Sequence, residues 1–255
     1  MLSSSAQEAG FRLEHYGLIG STNDLGMTRA RALESSRLWV VADAQEGGKG
    51  RLGRVWTSPQ GNLYASVVLV GEAELKVSPQ LGFVAGVALI EALRELAPHA
   101  ALTLKWPNDV LAGDAKLAGI LLEGTTLADG RFGCVIGFGV NCASAPTGLP
   151  YPAICLKDLG ADVSPAQIMH QLSHSFAFML GLWSRGDHFS IIRERWLSHA
   201  GLPGRPLGVQ RGNERLLGRF RTIDHSGRLI LDTDQGEALI EAGDVFLPSI
   251  LNDNA

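Results

Sequence analysis

The sequence predicts an α/β (α+β) fold: a mixed or antiparallel sheet flanked by helices, followed by a small β-barrel. Three observations predict it. Apolar β-branched runs alternate with helix-period stripes over the first 200 residues. Between Ala101 and Val140 consecutive strands are separated only by short turns, which makes them sheet neighbours. Beyond Gly201-Leu202-Pro203-Gly204 only short, evenly spaced strands remain. The chain has 255 residues and is 45% hydrophobic, enough for one large and one smaller core.

Residues 1–10 are Ser/Ala-rich and read as a disordered end, with neither the basic nor the apolar region of a signal peptide. Phe11 to Ile19 reads as a short strand. Ser21 or Thr22 then caps a helix running to about Glu34, with Asp24 in its positive first turn. Leu38 to Ala42 and Leu63 to Val70 are buried strands, with turn chemistry at Ser58 to Asn62 between them. Ser78-Pro79 opens a helix whose apolar stripe runs from Leu81 to Leu96, and Pro98 ends it. Ala101 to Trp106, Lys116 to Leu122 and Phe132 to Val140 are strands, with a hairpin-like turn at Gly113-Asp114. Ser164-Pro165-Ala166-Gln167 carries cap, proline and capping-box glutamine in register, starting a long helix towards Trp183. Asp187 is the expected cap of another helix, reaching about His199. Pro206 to Phe246 holds the barrel strands, with turns at Gly212-Asn213, Ser226-Gly227 and Gln235-Gly236.

Composition removes several classes of function. The formal net charge is -4, which argues against a surface devoted to nucleic acid. The C-terminal segment is locally basic through Arg205, Arg211, Arg215, Arg219 and Arg221, which suits either a solvated face or a nucleic-acid module. No apolar segment is long enough to cross a bilayer. Three cysteines without CxxC spacing suggest neither a disulfide framework nor a zinc site, and fit a cytoplasmic, reducing location.

Four polar clusters interrupt the apolar body: Ser21-Thr22-Asn23, the loop Gly47 to Arg54, Lys105 to Asp109, and Lys116 with Asn141. The loop packs four glycines and three cations into eight residues, with Trp56 just beyond. Glycine allows close backbone approach, and Lys and Arg bind anions. The loop therefore suits phosphate, although a solvated basic turn fits the same residues. Lys105 beside Asp109 reads as a surface pair or as part of a site, and Asn108 with Asp109 could hold hydrated Mg²⁺ near phosphates. Lys116, at the edge of an apolar strand, needs an anion. Trp56 is either a stacking surface for adenine or a hydrophobic anchor. A P-loop and a GxSxG elbow are absent, and Val55 to Pro59 denies the helix that a dinucleotide loop requires.

Taken together, these residues resemble the biotin protein ligases. Gly47 to Trp56 is similar to GRGRxGRxW, Lys105 to Asp109 to KWPND, Lys116 to Glu123 to KxxGILxE, and Gly137 to Asn141 to G-[IV]-G-x-N. The resemblance spans nearly the whole chain. It implies activation of biotin by MgATP to biotinyl-5′-AMP, then transfer to a lysine of a biotin carboxyl carrier domain. It implies Lys116 and Arg51 as catalytic, with Ser21, Thr22, Asn23, Gln45, Gly48, Lys49, Arg51, Lys116 and Gly119 at biotin. ATP would meet Arg51, Arg54, Trp56, Lys105, Asn108, Asp109, Lys116 and Asn141, with Asn108 and Asp109 as the Mg²⁺ ligands. The loop would order when ligand arrives. It also implies a catalytic domain over 11–203, an SH3-like barrel over 204–255, and a monomer or homodimer.

Two departures stand out. Lys49 replaces the usual Arg and loses the bidentate fork. Only about twenty residues precede Ser21, too few for the helix-turn-helix some members carry, so no DNA-binding role is expected. A lipoate or octanoyl ligase and a non-enzymatic biotin sensor are the alternatives.

Overall fold

The computed structural model describes residues 1–32, 36–201, 203–211, 214–241 and 243–247. Its larger sheet has seven strands: β1 (Arg12–Ile19), β2 (Leu38–Gln45), β3 (Leu63–Val70), β4 (Leu102–Lys105), β5 (Asp109–Ala112), β6 (Ala115–Thr126) and β7 (Phe132–Val140). They lie in the order β1-β2-β3-β7-β6-β5-β4. Only β1 and β2 run parallel, and every other pairing is antiparallel. The predicted mixed sheet is present.

β3 explains the layering. It is buried along its whole length, because helices cover both faces. On one side α2 (Thr22–Arg31) packs through Ala30 on Leu38, Val40, Val68 and Val135. On the other lie α1 (Ser4–Glu8), α3 (Gln80–Leu96), α4 (Pro165–Trp183) and α5 (Phe189–His199). Trp39, Phe138 and Phe176 meet there at ring-centroid distances of 5.4 to 6.1 Å. Two motifs are realised as read. Ser21 caps α2 by accepting from the Asp24 N–H, and the capping box of Ser164 and Gln167 is fully formed.

Several expectations need correction. Residues 1–10 are not disordered: Ser3 caps α1, and Leu2 and Ala6 are buried against the helix layer. α2 ends at Arg31, short of Glu34, which lies outside the described residues. Ser78 does not cap α3; its hydroxyl donates to Leu75 O, and Pro79 sits in a turn before the helix. Asp187 does not cap α5, whose first flanking residue is His188. The segment between Trp106 and Gly113 is not merely a break. It contains β5, so Pro107-Asn108 turns one hairpin and Gly113-Asp114 the next.

The C-terminal strands are β8 (Pro206–Arg211), β9 (Glu214–Ile223), β10 (Leu229–Thr233), β11 (Gly236–Ile240) and β12 (Asp244–Phe246). Among the described residues they form an open sheet, β11-β10-β9-β8-β12, not the expected closed barrel. The cause is visible in the packing. Leu207, Val209, Phe220, Leu231 and Val245 belong to the same apolar cluster as α3 and α5, so the main domain covers the face that barrel closure would otherwise bury. Polar ties reinforce the join: Trp106 Nε1 donates to Gly227 O at 3.0 Å, and Arg193 Nε to Ile223 O at 2.7 Å. The expected turn at Gly212-Asn213 and the residue Leu202 of the expected break lie outside the described residues, as do 248–255.

Candidate active site

Strand register places the site. One row of paired residues crosses the larger sheet: Ala42, Tyr64, Gly139, Gly119, Asp109 and Lys105. The next row joins Val40, Ser66, Gly137 and Leu121. Gly139 and Gly119 thus lie side by side in the first row and Gly137 lies beside the small hydroxyl of Ser66 in the second, so the floor is low there. Side chains rise at both ends. A cavity of about 670 Å³ opens above it, within the range of sites for sizeable organic ligands.

One end of the cavity is a hydrogen-bonded polar nest. Thr22 N and Oγ1 both donate to Gln45 Oε1, at 2.7 and 3.1 Å, and Gln45 Nε2 donates to Ser58 Oγ at 3.0 Å. Ser66 Oγ, fully buried, lies 2.7 Å from Thr22 Oγ1 and donates to Asn23 Oδ1 at 2.6 Å. Asn23 Nδ2 donates to Glu123 Oε2 at 2.8 Å. The Asn23 amide is therefore spent inside the protein and fixes the start of α2 to β3 and β6. Ser21 is half engaged as the helix cap, yet still lines the cavity.

The glycine loop forms one wall. It folds as a small hairpin. Trp56 N donates to Gly48 O at 2.9 Å, Lys49 pairs with Val55, and Gly50 N donates to Arg54 O at 2.7 Å. A tight helical turn, Arg51–Gly53, makes the tip. Lys49 Nζ reaches Asp24 at 2.6 Å, so the lysine that replaces arginine clips the loop to the first turn of α2. Arg51 points inward: Nη1 donates to Asn108 Oδ1 and Nη2 to Gly243 O, both at 3.3 Å.

At the centre lies Asp109 with two lysines. Lys116 Nζ is 2.6 Å from one carboxylate oxygen and Lys105 Nζ 2.9 Å from the other. Burial alone would raise the Asp109 pKa. The charges of Lys116 and Lys105 overcome it and hold the group down at about 2. Lys116 also lies between two rings, 5.3 Å from the Trp56 centroid and 5.7 Å from that of Tyr151. Trp56 rests flat over the glycine floor: a Cβ on Gly139 would come within 2.5 Å of its ring.

Most of the residues singled out in the sequence line this cavity: Ser21, Thr22, Asn23, Gln45, Lys49, Arg51, Arg54, Trp56, Lys105, Asn108, Asp109, Lys116 and Gly119. Two do not. Gly48 lies in the stem of the loop hairpin, where its carbonyl accepts from Trp56 N. Asn141 faces a small adjoining recess with Trp56, Lys116 and Tyr151, its amide nitrogen donating to Ile154 O at 3.1 Å.

The comparisons with known proteins agree with this arrangement. The model of the Biotin/lipoate A/B protein ligase family matches residues 18–141, and that of the biotin protein ligase C-terminal domain matches 204–247. A biotin--[acetyl-CoA-carboxylase] ligase of Paracoccus denitrificans is 38% identical over 234 residues, covering 89% of this chain and 96% of that protein. The chain belongs to the biotin protein ligase family. A bifunctional ligase/repressor BirA of Bacillus subtilis is 30% identical over 93% of this chain and 74% of its own length. The solved biotin protein ligase of Aquifex aeolicus in complex with biotin and ATP superposes with a TM-score of 0.78 at 26% identity, covering 92% of this chain and 97% of that one.

Within this member of the family, sequence reasoning missed Ser66, Tyr64 and Tyr151. Ser66 and Tyr64 had a signal, since they are the polar residues in the otherwise apolar run of β3. Tyr151 had none. It sits in a Pro/Gly-rich loop and reaches Lys116 only because Lys116 pairs with Ala153.

Proposed function

We propose that this chain is a biotin protein ligase that activates biotin with ATP and transfers it to a lysine of a carrier domain. The observation that carries the reading is the single cavity above the glycine floor. It joins a nest for a neutral polar head, a central lysine pair and an aromatic plate. Biotin, an α-phosphate and adenine need those three surfaces in that order.

On this reading Thr22 and Gln45 face the ureido ring, with Ser66, Asn23 and Ser58 holding them in place. Gly119 and Gly137 leave room for the valerate chain. The carboxylate oxygen attacks the α-phosphorus, the bond to the bridging oxygen breaks, and pyrophosphate leaves. Two anions must approach each other for this. Lys116 supplies the charge between them, and Arg51 supplies a fork from the loop. Asp109 aims Lys116 through their 2.6 Å contact. On this reading Trp56 lies against adenine and Asn141, which lines the neighbouring recess, meets its edge. The carrier lysine then attacks the acyl carbon and AMP departs.

The assignment of Mg²⁺ to Asn108 and Asp109 does not fit these contacts. Both Asp109 oxygens face lysines, and Asn108 is engaged by Arg51 and Ile120 O. Among the described residues there is no group of three or more His, Cys, Asp or Glu side chains that could hold a metal. Mg²⁺ enters, on our reading, with ATP, held by phosphate oxygens and water.

We assign residues 11–203 to the catalytic unit and 204–255 to the C-terminal domain, supported by the two family matches. Among the described residues, no helix is long and apolar enough to cross a membrane. Burial pushes the Cys134 and Cys142 thiols up to about 12, which fits protected thiols in a reducing cytoplasm. The test is incubation with ATP, Mg²⁺, biotin and a biotin carrier domain. One biotin mass should appear on the carrier, and lipoate in place of biotin should give none. Lipoyl transfer without biotinyl transfer would overturn the reading.

A further inference from the structure

We infer that Arg215, on β9 of the C-terminal sheet, binds the β- and γ-phosphates of ATP and the pyrophosphate that leaves; this rests on the ligase reading above. Arg215 lines the same cavity as Lys116, but from the opposite domain. It is the one charged side chain that the C-terminal sheet contributes to the lining among the described residues.

The other cations of the cavity are already engaged. Lys105 and Lys116 share Asp109, Lys49 holds Asp24, Arg51 bridges Asn108 and Gly243, and Arg54 Nε donates to Arg51 O. Arg215 makes no ion pair among the described residues. Its guanidinium lies over the Phe246 ring, 4.6 Å from the centroid. Phe246 is itself seated directly on Gly208, where any Cβ would overlap the ring. The arginine is thus laid on a fixed shelf. Stacking uses the face of a guanidinium and leaves its in-plane N–H donors for an anion.

The shape of the substrate supplies the direction. With biotin in the polar nest, adenine against Trp56 and the α-phosphate at Lys116, two phosphates still need a wall. The remaining lining includes the Pro107-Asn108 turn and the C-terminal sheet, where Gln210 pairs in register with Arg215. A dianionic tail in a partly enclosed cavity requires a cation there, and the C-terminal sheet offers this one.

The test uses the full chain with Arg215→Ala and Arg215→Lys, their folding checked by unfolding midpoint. KM for MgATP in biotin-dependent pyrophosphate exchange and the inhibition constant of inorganic pyrophosphate should both rise about tenfold in the Ala variant, as for one lost charge-assisted contact. The Lys variant, with the charge but not the fork, should lie between. KM for biotin and inhibition by AMP should not move, because neither carries the tail. Unchanged ATP and pyrophosphate constants would overturn the inference, as would an equal loss for AMP. A rise confined to KM for the carrier domain would also overturn it, moving Arg215 to carrier docking. Failure of the ligase reading looks different: the unsubstituted chain would form no biotinyl-adenylate from MgATP and biotin.

Discussion

Replacing Asp109 by Asn keeps the volume of the side chain and removes the charge that two lysines share. Lys105 and Lys116, now 2.9 and 2.6 Å from its oxygens, would face each other across a neutral amide. Breaking a buried ion pair commonly costs 3–5 kcal/mol (roughly) because the partner is left uncompensated. Here the lysine side chains keep 14% and 17% exposure, which lowers the expected cost to about 2–3 kcal/mol. The pKa gives an independent figure. Lowering the carboxyl from 3.8 to about 2 corresponds to about 2.5 kcal/mol of stability at neutral pH. The unfolded chain binds the proton first as pH falls, so this contribution is complete above about pH 5 and is lost between roughly pH 4 and 2. Asp109→Asn should therefore melt roughly 5–10 °C lower at pH 7. The gap between the two proteins should close as pH approaches 2. Calorimetric or fluorescence melts across pH 2–7 measure both effects. Equal melting temperatures at pH 7, or a gap that does not depend on pH, would refute the idea that Asp109 serves the lysines.

Three further outcomes are expected. Lys116→Ala should abolish biotin-dependent ATP–pyrophosphate exchange while biotin binding, read by calorimetry, persists; near-normal exchange would remove Lys116 from the chemistry. Arg51→Ala breaks contacts to both Asn108 and Gly243, so preformed biotinyl-adenylate should dissociate about tenfold faster or more, and an unchanged off-rate would count against the loop as a retaining wall. Gly139→Ala places a Cβ within 2.5 Å of the Trp56 ring, so KM for ATP should rise several-fold while KM for biotin moves little; if biotin suffers equally, Trp56 is not the adenine plate.

The elements legible in the sequence are those whose signals are local. The capping box at Ser164, the helix cap at Ser21 and the uninterrupted strand Leu63–Val70 appear where they were read. The motif residues were legible for the same reason: each cluster is short, and its chemistry is written in adjacent positions. β5 was missed because its four residues sit between two turns, too short for any period to show. The cap expected at Asp187 failed because a single tight turn, Ser184–Gly186, shifts the start of α5 by one residue.

By itself the sequence determined the classes of chemistry present: a cationic glycine loop, a lysine on an apolar strand, a polar helix start and an aromatic beside them. The tertiary structure decided which of them meet. Tyr64, Gly139, Gly119, Asp109 and Lys105 are scattered over seventy-five positions and become one row only through strand pairing. That register depends on long-range burial of alternate faces, which no local window contains. The same holds for Asp109, whose place beside Asn108 suits a metal ligand in the sequence and whose two oxygens face lysines in the fold. It holds too for the C-terminal sheet, which stays open because its apolar face is covered by the domain that precedes it.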